Sequence, residues 1–143
     1  MYSAFLLIHS WLRWLVLIAG LLVYVRGSRA VNSTTRLFVM AIDVQLLVGL
    51  LLYAVLSPFT QVAFHDMGAA MRDPGLRFWA VEHLAGMLLA VVAAHVGRVQ
   101  VRRAKDAETA YQKAAIYVGI TLVLILISIP WPGMANGRPL FRF

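Results

Sequence analysis

Apolar residues in this chain run on in four long stretches, about Ala4–Val25, Leu37–Leu56, Phe78–Val99 and Ala114–Trp131, instead of recurring singly at helical spacing. A hydrocarbon core of roughly 30 Å takes about 20 apolar residues to cross as a helix, so each stretch predicts one membrane span. The runs are continuous and rich in Leu, Ala and Val, with no period-two alternation, which selects helices over barrel strands. Gly27–Ser33, Pro58–Gly75 and Arg98–Lys113 fall between the spans, where polar backbone finds water. The pattern predicts an all-α fold: one integral membrane domain over residues 1–143, built as a four-helix up-down-up-down bundle without linker or internal repeat.

Composition agrees. The 143 residues are 62% hydrophobic and 13% charged, against about 25% charged in soluble domains. The formal net charge of +7 raises nucleic acid as a partner, but the basic residues sit in short connections that meet anionic lipid headgroups first. The lipid bilayer is therefore the expected partner, and nucleic acid is not. Arg26, Arg29 and Arg36 flank the first connection, and Arg98, Arg102, Arg103, Lys105 and Lys113 the third. The opposite side carries Arg72, Arg77, Arg138 and Arg142. The positive-inside rule makes the first group cytoplasmic and predicts an N-out/C-out protein, with Trp79 and Trp131 at outer span ends. Met1–Phe5 has no positive charge, so the first span is expected to remain as a span and not to be cleaved as a signal peptide.

Six ionisable residues inside the spans need a reason: His9, Arg13, Asp43, Glu82, His83 and His95. Each costs at least a few kcal/mol in hydrocarbon unless paired, ligated or solvated. His9 and His83 lie at similar depth in the first and third spans, which occupy diagonal corners of such a bundle, so they face each other where a haem held by two histidines fits. Gly86, Met87, Ala90, Ala94 and Gly97 lie within about 60° of His83 around the helix and leave room for a flat ligand. Arg13 lies a turn deeper than His9 and could pair with a haem propionate or with Glu82. Small residues equally line ordinary helix contacts, and a histidine can simply bond across an interface. A metal ion or a proton relay, with Glu82 as third ligand or proton acceptor, stays open too. With no cysteine, thiolate ligation and covalent haem attachment are excluded.

His95 is about 120° around from His83 and roughly 18 Å further along, so it belongs to a second, inner polar site. Asp43 reaches comparable depth, and an Asp43–His95 hydrogen bond is the simplest account. Gln45 is expected to bond between helices, His65 with Asp66 to be solvated or to take a surface metal, and the Pro130–Trp131–Pro132–Gly133 run to end the fourth helix. The tail ending Phe141–Arg142–Phe143 reads as an interface or partner contact.

His9–Ser10–Trp11–Leu12–Arg13–Trp14, Gln45–Leu46–Leu47–Val48–Gly49–Leu50, Phe78–Trp79–Ala80–Val81–Glu82–His83 through His95, and Ser128–Ile129–Pro130–Trp131–Pro132 together resemble small bacterial four-span membrane proteins described as cytochrome b-like. The resemblance runs nearly the whole chain. It implies haem b, one or two, in a multi-pass protein of the bacterial cytoplasmic (inner) membrane. His9 and His83 match that family's outer histidines and His95 its inner one. Asp43 departs from the pattern, since relatives often carry histidine there, which argues against an inner haem.

The leading expectation is an electron-transfer protein more than a catalyst with its own substrate chemistry. It would exchange single electrons with quinone or with a larger respiratory or redox complex. A cofactor-free accessory or scaffold subunit, a homo-oligomer among them, and a small proton- or metal-conducting protein using Glu82, His83, Asp43 and His95 are the competing readings.

Overall fold

A computed structural model describes residues 1–141; Arg142 and Phe143 of the tail lie outside the described residues. Among the described residues there are helices and turns but no strand. Three continuous helical stretches are long and apolar enough to cross a membrane: Tyr2–Leu56, Pro74–Arg102 and Ala107–Ser128.

The first stretch would be roughly 80 Å long if straight, far more than a bilayer, but it folds back on itself. Helix α1 (Tyr2–Arg26) and helix α2 (Val31–Leu51) are joined by a 3-10 turn at Gly27–Ala30 and pack along each other. Gly27 makes the reversal with φ 57° and ψ −154°, a region essentially closed to residues with a Cβ. A π-helical turn, Leu52–Leu56, extends α2. Where the sequence suggests a plain connection, three short helices follow: α3 (Pro58–His65), α4 (Met67–Arg72) and α5 (Pro74–Arg77). Asp66 and Asp73 cap the last two through Ala69 N–H and Leu76 N–H. A second π-helical turn, Phe78–Glu82, leads into α6 (His83–Arg102).

Helix α7 (Ala107–Ser128) starts earlier and stops sooner than the apolar run that predicts it. It starts at Ala107 because Asp106 accepts hydrogen bonds from the Thr109 backbone N–H at 2.7 Å and the Thr109 hydroxyl at 2.8 Å, satisfying an orphan donor of the first turn. It stops at Ser128 because Pro130 pushes Ile129 into an extended conformation (φ −75°, ψ 133°), as proline does to the residue before it.

Helix α1 packs on α2, α2 on α6, α6 on α7, and α7 back on α1. The arginine-rich end of this arrangement is filled by Ala19, Val23, Phe38, Ala94 and Val118, all buried. Small residues set the spacing there. A Cβ on Gly20 would sit 3.1 Å from the Phe38 ring, and Gly97 receives the Tyr117 side chain, the close approach common between helices in lipid. Tyr24 donates its hydroxyl to the Ala115 carbonyl at 2.7 Å, tying α1 to α7. The outer faces carry Leu15, Leu21, Leu47, Leu89, Val92, Val123 and Ile127, all exposed. A water-soluble protein seldom leaves so continuous an apolar surface uncovered.

The Thr109 hydrogen bonds hold the Asp106 carboxyl below its ordinary pKa of 3.8. A depressed native value means that the cap contributes above the unfolded pKa and loses its contribution as pH falls through the native one. Amide exchange at Thr109 should therefore accelerate below about pH 3.8 relative to the middle of α7. Asp106→Asn, which still caps but does not ionise, should remove that pH dependence.

Candidate functional site

The end of the molecule opposite the arginine-rich one holds a cavity of about 150 Å³ between α1, α2, α6 and α7. His9 enters it from α1 and His83 from α6. The two rings face each other edge to face, with centroids 6.4 Å apart and planes at 72°.

Local backbone chemistry explains how His83 is aimed. It follows the Phe78–Glu82 π-turn, where the His83 N–H reaches back five residues to the Phe78 carbonyl. Such wide turns shift the helical register and free carbonyls from their usual partners. In the facing π-turn Ser57 N–H bonds the Leu52 carbonyl at 2.8 Å. Side chains take up what the turns release: Tyr53 donates to the Ala80 carbonyl at 2.8 Å, Thr60 to the Tyr53 carbonyl at 2.6 Å, and Gln61 to the Ala54 carbonyl at 2.9 Å. The Tyr53 bond ties the two π-turns together.

His83 Nδ1 lies 2.8 Å from the Ser128 carbonyl in the last turn of α7. That carbonyl is an orphan of the helix end, and the residue four positions on, Pro132, has no N–H to offer. A carbonyl only accepts, so the proton sits on Nδ1 and Nε2 presents a lone pair. Nε2 makes no hydrogen bond among the described residues.

His9 is held differently. Gln45 of α2 donates from Nε2 to the His9 backbone carbonyl at 3.1 Å, and the same nitrogen lies 3.3 Å from His9 Nε2. A turn further along α2, Gly49 leaves space for the ring, since a Cβ there would stand 3.1 Å from His9 Cε1. His9 Nδ1 and Gln45 Oε1 are buried without a hydrogen-bond partner. Buried polar atoms are rarely left so, which marks this as a place for a ligand or ordered water.

The segment after α7 closes the end of the cavity. Pro130, Arg138 and Pro139 line it, and the Arg138 guanidinium stands 4.9 Å from the Phe59 ring and 5.2 Å from the Trp79 ring. Leu140 offers its carbonyl to Arg13 Nη2 at 2.6 Å and to Trp14 Nε1 at 3.3 Å. Phe141 stacks on Trp14 with centroids 5.3 Å apart and planes at 13°. The tail contact suggested by the sequence is thus, for Phe141, a contact within the chain.

The other candidate residues separate from this pair. Arg13 lines the cavity but does not meet Glu82, which binds Arg77 at 2.6 Å on an exposed surface. Gly86 does not open the cavity. It backs onto the Ser128 side chain, while Leu84 and Met87 line the space instead. Asp43 and His95 come together at 2.8 Å between α2 and α6, away from the cavity. His65 ends α3 and Asp66 caps α4. Among the described residues no three His, Cys, Asp or Glu side chains form a group able to hold a metal ion.

Ser128, Gly49, Tyr53 and Arg138 complete the site without having stood out as site residues in the sequence. Only Pro132, four residues after Ser128, hinted at a freed carbonyl. No protein-family model, curated protein or solved structure matches the chain.

Tyr53→Phe should leave the Ala80 carbonyl without its partner and destabilise the protein by about 1–3 kcal/mol. Denaturation of the purified protein in mixed micelles measures this, and Phe64→Leu, which loses only the ring contact to Tyr53, should cost less.

Proposed function

We propose that this protein is a b-type haem protein that passes single electrons within a bacterial cytoplasmic membrane, with His9 and His83 as the two axial ligands. The observation that carries this reading is the facing histidine pair. Two imidazoles binding one metal at about 2 Å from each nitrogen stand with ring centroids roughly 6 Å apart, and the rings here are 6.4 Å apart. The Ser128 carbonyl on His83 Nδ1 is the outer-shell contact that fixes the tautomer and orientation of a metal-binding histidine.

The donor set favours haem over a bare ion. Two histidines with no third ligand among the described residues leave an ion under-coordinated, whereas a porphyrin brings four equatorial nitrogens of its own. Arg13 and Arg138 are the cations lining the cavity and suit the macrocycle's carboxylates. A volume of about 150 Å³ takes only a single aromatic ring, so the flexible Met87, Leu46 and Leu50 side chains that line it must move aside for the macrocycle. Gly86, packed on Ser128, contributes no clearance.

When bound, such a group supplies reversible one-electron reduction, with its potential set by axial ligands, burial and nearby charge. The chain's part would be to hold the group through His9 and His83 and to keep it away from water. Quinone and a larger redox complex are the fitting exchange partners. In the same reading α1, α2, α6 and α7 are four antiparallel spans. The basic ends, Arg26 to Arg36 and Arg98 to Lys113, face the cytoplasm and leave both termini outside.

The test is a reduced-minus-oxidised absorbance spectrum of protein expressed with ample haem. A low-spin b-type spectrum at about one haem per chain is expected, abolished in His9→Ala and His83→Ala, and retained in His95→Ala. A colourless, well-folded wild type would overturn the haem assignment and leave the accessory-subunit reading in its place.

A further inference from the structure

Asp43 and His95 present a separate problem. Their contact bridges α2 and α6 on the outside of the helices, with side chains 42% and 51% exposed, in a protein whose outer surface is otherwise apolar at that level. Asp43 lies seven residues, about 10 Å along α2, inside Arg36, and His95 lies three residues, about 4–5 Å along α6, inside Arg98, where the basic end begins. The pair therefore sits one to two turns inside the level of those arginines. Polar groups at such a depth are ordinarily turned toward a protein interior.

The bond that joins them, His95 Nε2 to Asp43 Oδ1 at 2.8 Å, uses half of what the two groups offer. His95 Nδ1 and Asp43 Oδ2 make no hydrogen bond among the described residues. The nearest basic side chain toward the arginine-rich end, Arg98, is engaged by Asn32 at 3.0 Å and Thr35 at 3.3 Å. Lipid tails supply no partner for the spare nitrogen and oxygen.

We infer that this face of α2 and α6 is the contact surface for a second copy of the chain, joined by reciprocal hydrogen bonds between the two Asp43–His95 pairs. The pair is self-complementary: it carries one unused nitrogen and one unused carboxylate oxygen. A two-fold interface sets each nitrogen against the other copy's oxygen. With the imidazole protonated on both nitrogens, each pair has no net charge, and the four hydrogen bonds close into a ring with no polar atom left to lipid. The flanking surface suits the contact. Met40 and Leu47 on α2, and Leu88 and Val92 on α6, lie within about 60° of Asp43 and His95 on their own helices and are 58%, 66%, 42% and 59% exposed. A lipid headgroup or a quinone could satisfy the same two atoms, but either would leave the protein single, so the copy number in a bilayer decides.

The chain has no cysteine, so one introduced cysteine reports on its own. Leu47→Cys and Val92→Cys should form disulfide-linked dimers on oxidation in liposomes at high lipid-to-protein ratio. Ile127→Cys on α7, equally exposed at 68%, should remain single under the same conditions. Adding Asp43→Leu and His95→Leu together should lower the linked fraction of Leu47→Cys by on the order of tenfold, the scale of one or two interhelical hydrogen bonds in a membrane. Leu47→Cys leaves the pair intact and so remains informative if the double variant misfolds. Linking no greater than at Ile127→Cys, or photobleaching of labelled wild type in single steps in nanodiscs, would overturn the proposal. No outcome depends on bound haem.

Discussion

A backbone carbonyl inside a bilayer has no water to turn to, and that one constraint organises this protein from its turns to its cavity. Regular helix satisfies most of the chain. The exceptions are the two π-turns and the proline-terminated end of α7, where carbonyls are freed. All of them cluster at the same end of the molecule, and several of the side chains that answer them line the cavity. Tyr53 ties one π-turn to the other, Thr60 and Gln61 fold α3 back over the first, and His83 answers Ser128. Tyr53, Thr60 and His83 all line the cavity. The site is where the regular ladder is interrupted.

This division separates the molecule into two halves with different tasks. Toward the arginine-rich end, Ala, Gly and Val let the helices approach closely, and Phe38 fills the centre. Dense packing of that kind fixes the helix spacing. Toward the other end the same helices enclose a cavity lined by larger, partly polar side chains, and His9 and Gln45 keep buried atoms unpartnered. The tight half holds the loose half at a set width, so the distance between His9 and His83 depends on residues such as Gly20 and Gly97 that lie well away from either ring.

The helical segments were legible because hydrophobic length is a one-dimensional signal: three of the four long apolar runs lie wholly within helical segments, and the fourth does so as far as Ser128. Their ends were less so. Asp106 begins α7 ahead of the apolar run through a cap that depends on two hydrogen bonds to Thr109, and a hydropathy pattern carries no trace of a cap. The three short helices between Pro58 and Arg77 were also hidden, their residues being too few and too mixed to show a period. Of the site residues, His9 and His83 stood out because an ionisable group in an apolar run is costly wherever it points. Rotational position was harder. Steps of 100° from His83 put Gly86 on the same side of α6, and both meet Ser128, but that Ser128 fills the space beside Gly86 depends on where α7 ends. Glu82 lies inside the π-turn before α6, and its partner Arg77 just before it could not be told from Arg13 without knowing the turn's shape.

The two histidine sites differ in the way that decides their roles. His83 has one nitrogen committed to a carbonyl, and its ring lines an enclosed space shared with His9 between helices of a single chain. His95 has one nitrogen committed to Asp43 and the other facing outward, so whatever completes it comes from outside the chain. An enclosed environment of the first kind discriminates by volume and coordination; an outward-facing one of the second kind discriminates by complementarity of donor and acceptor.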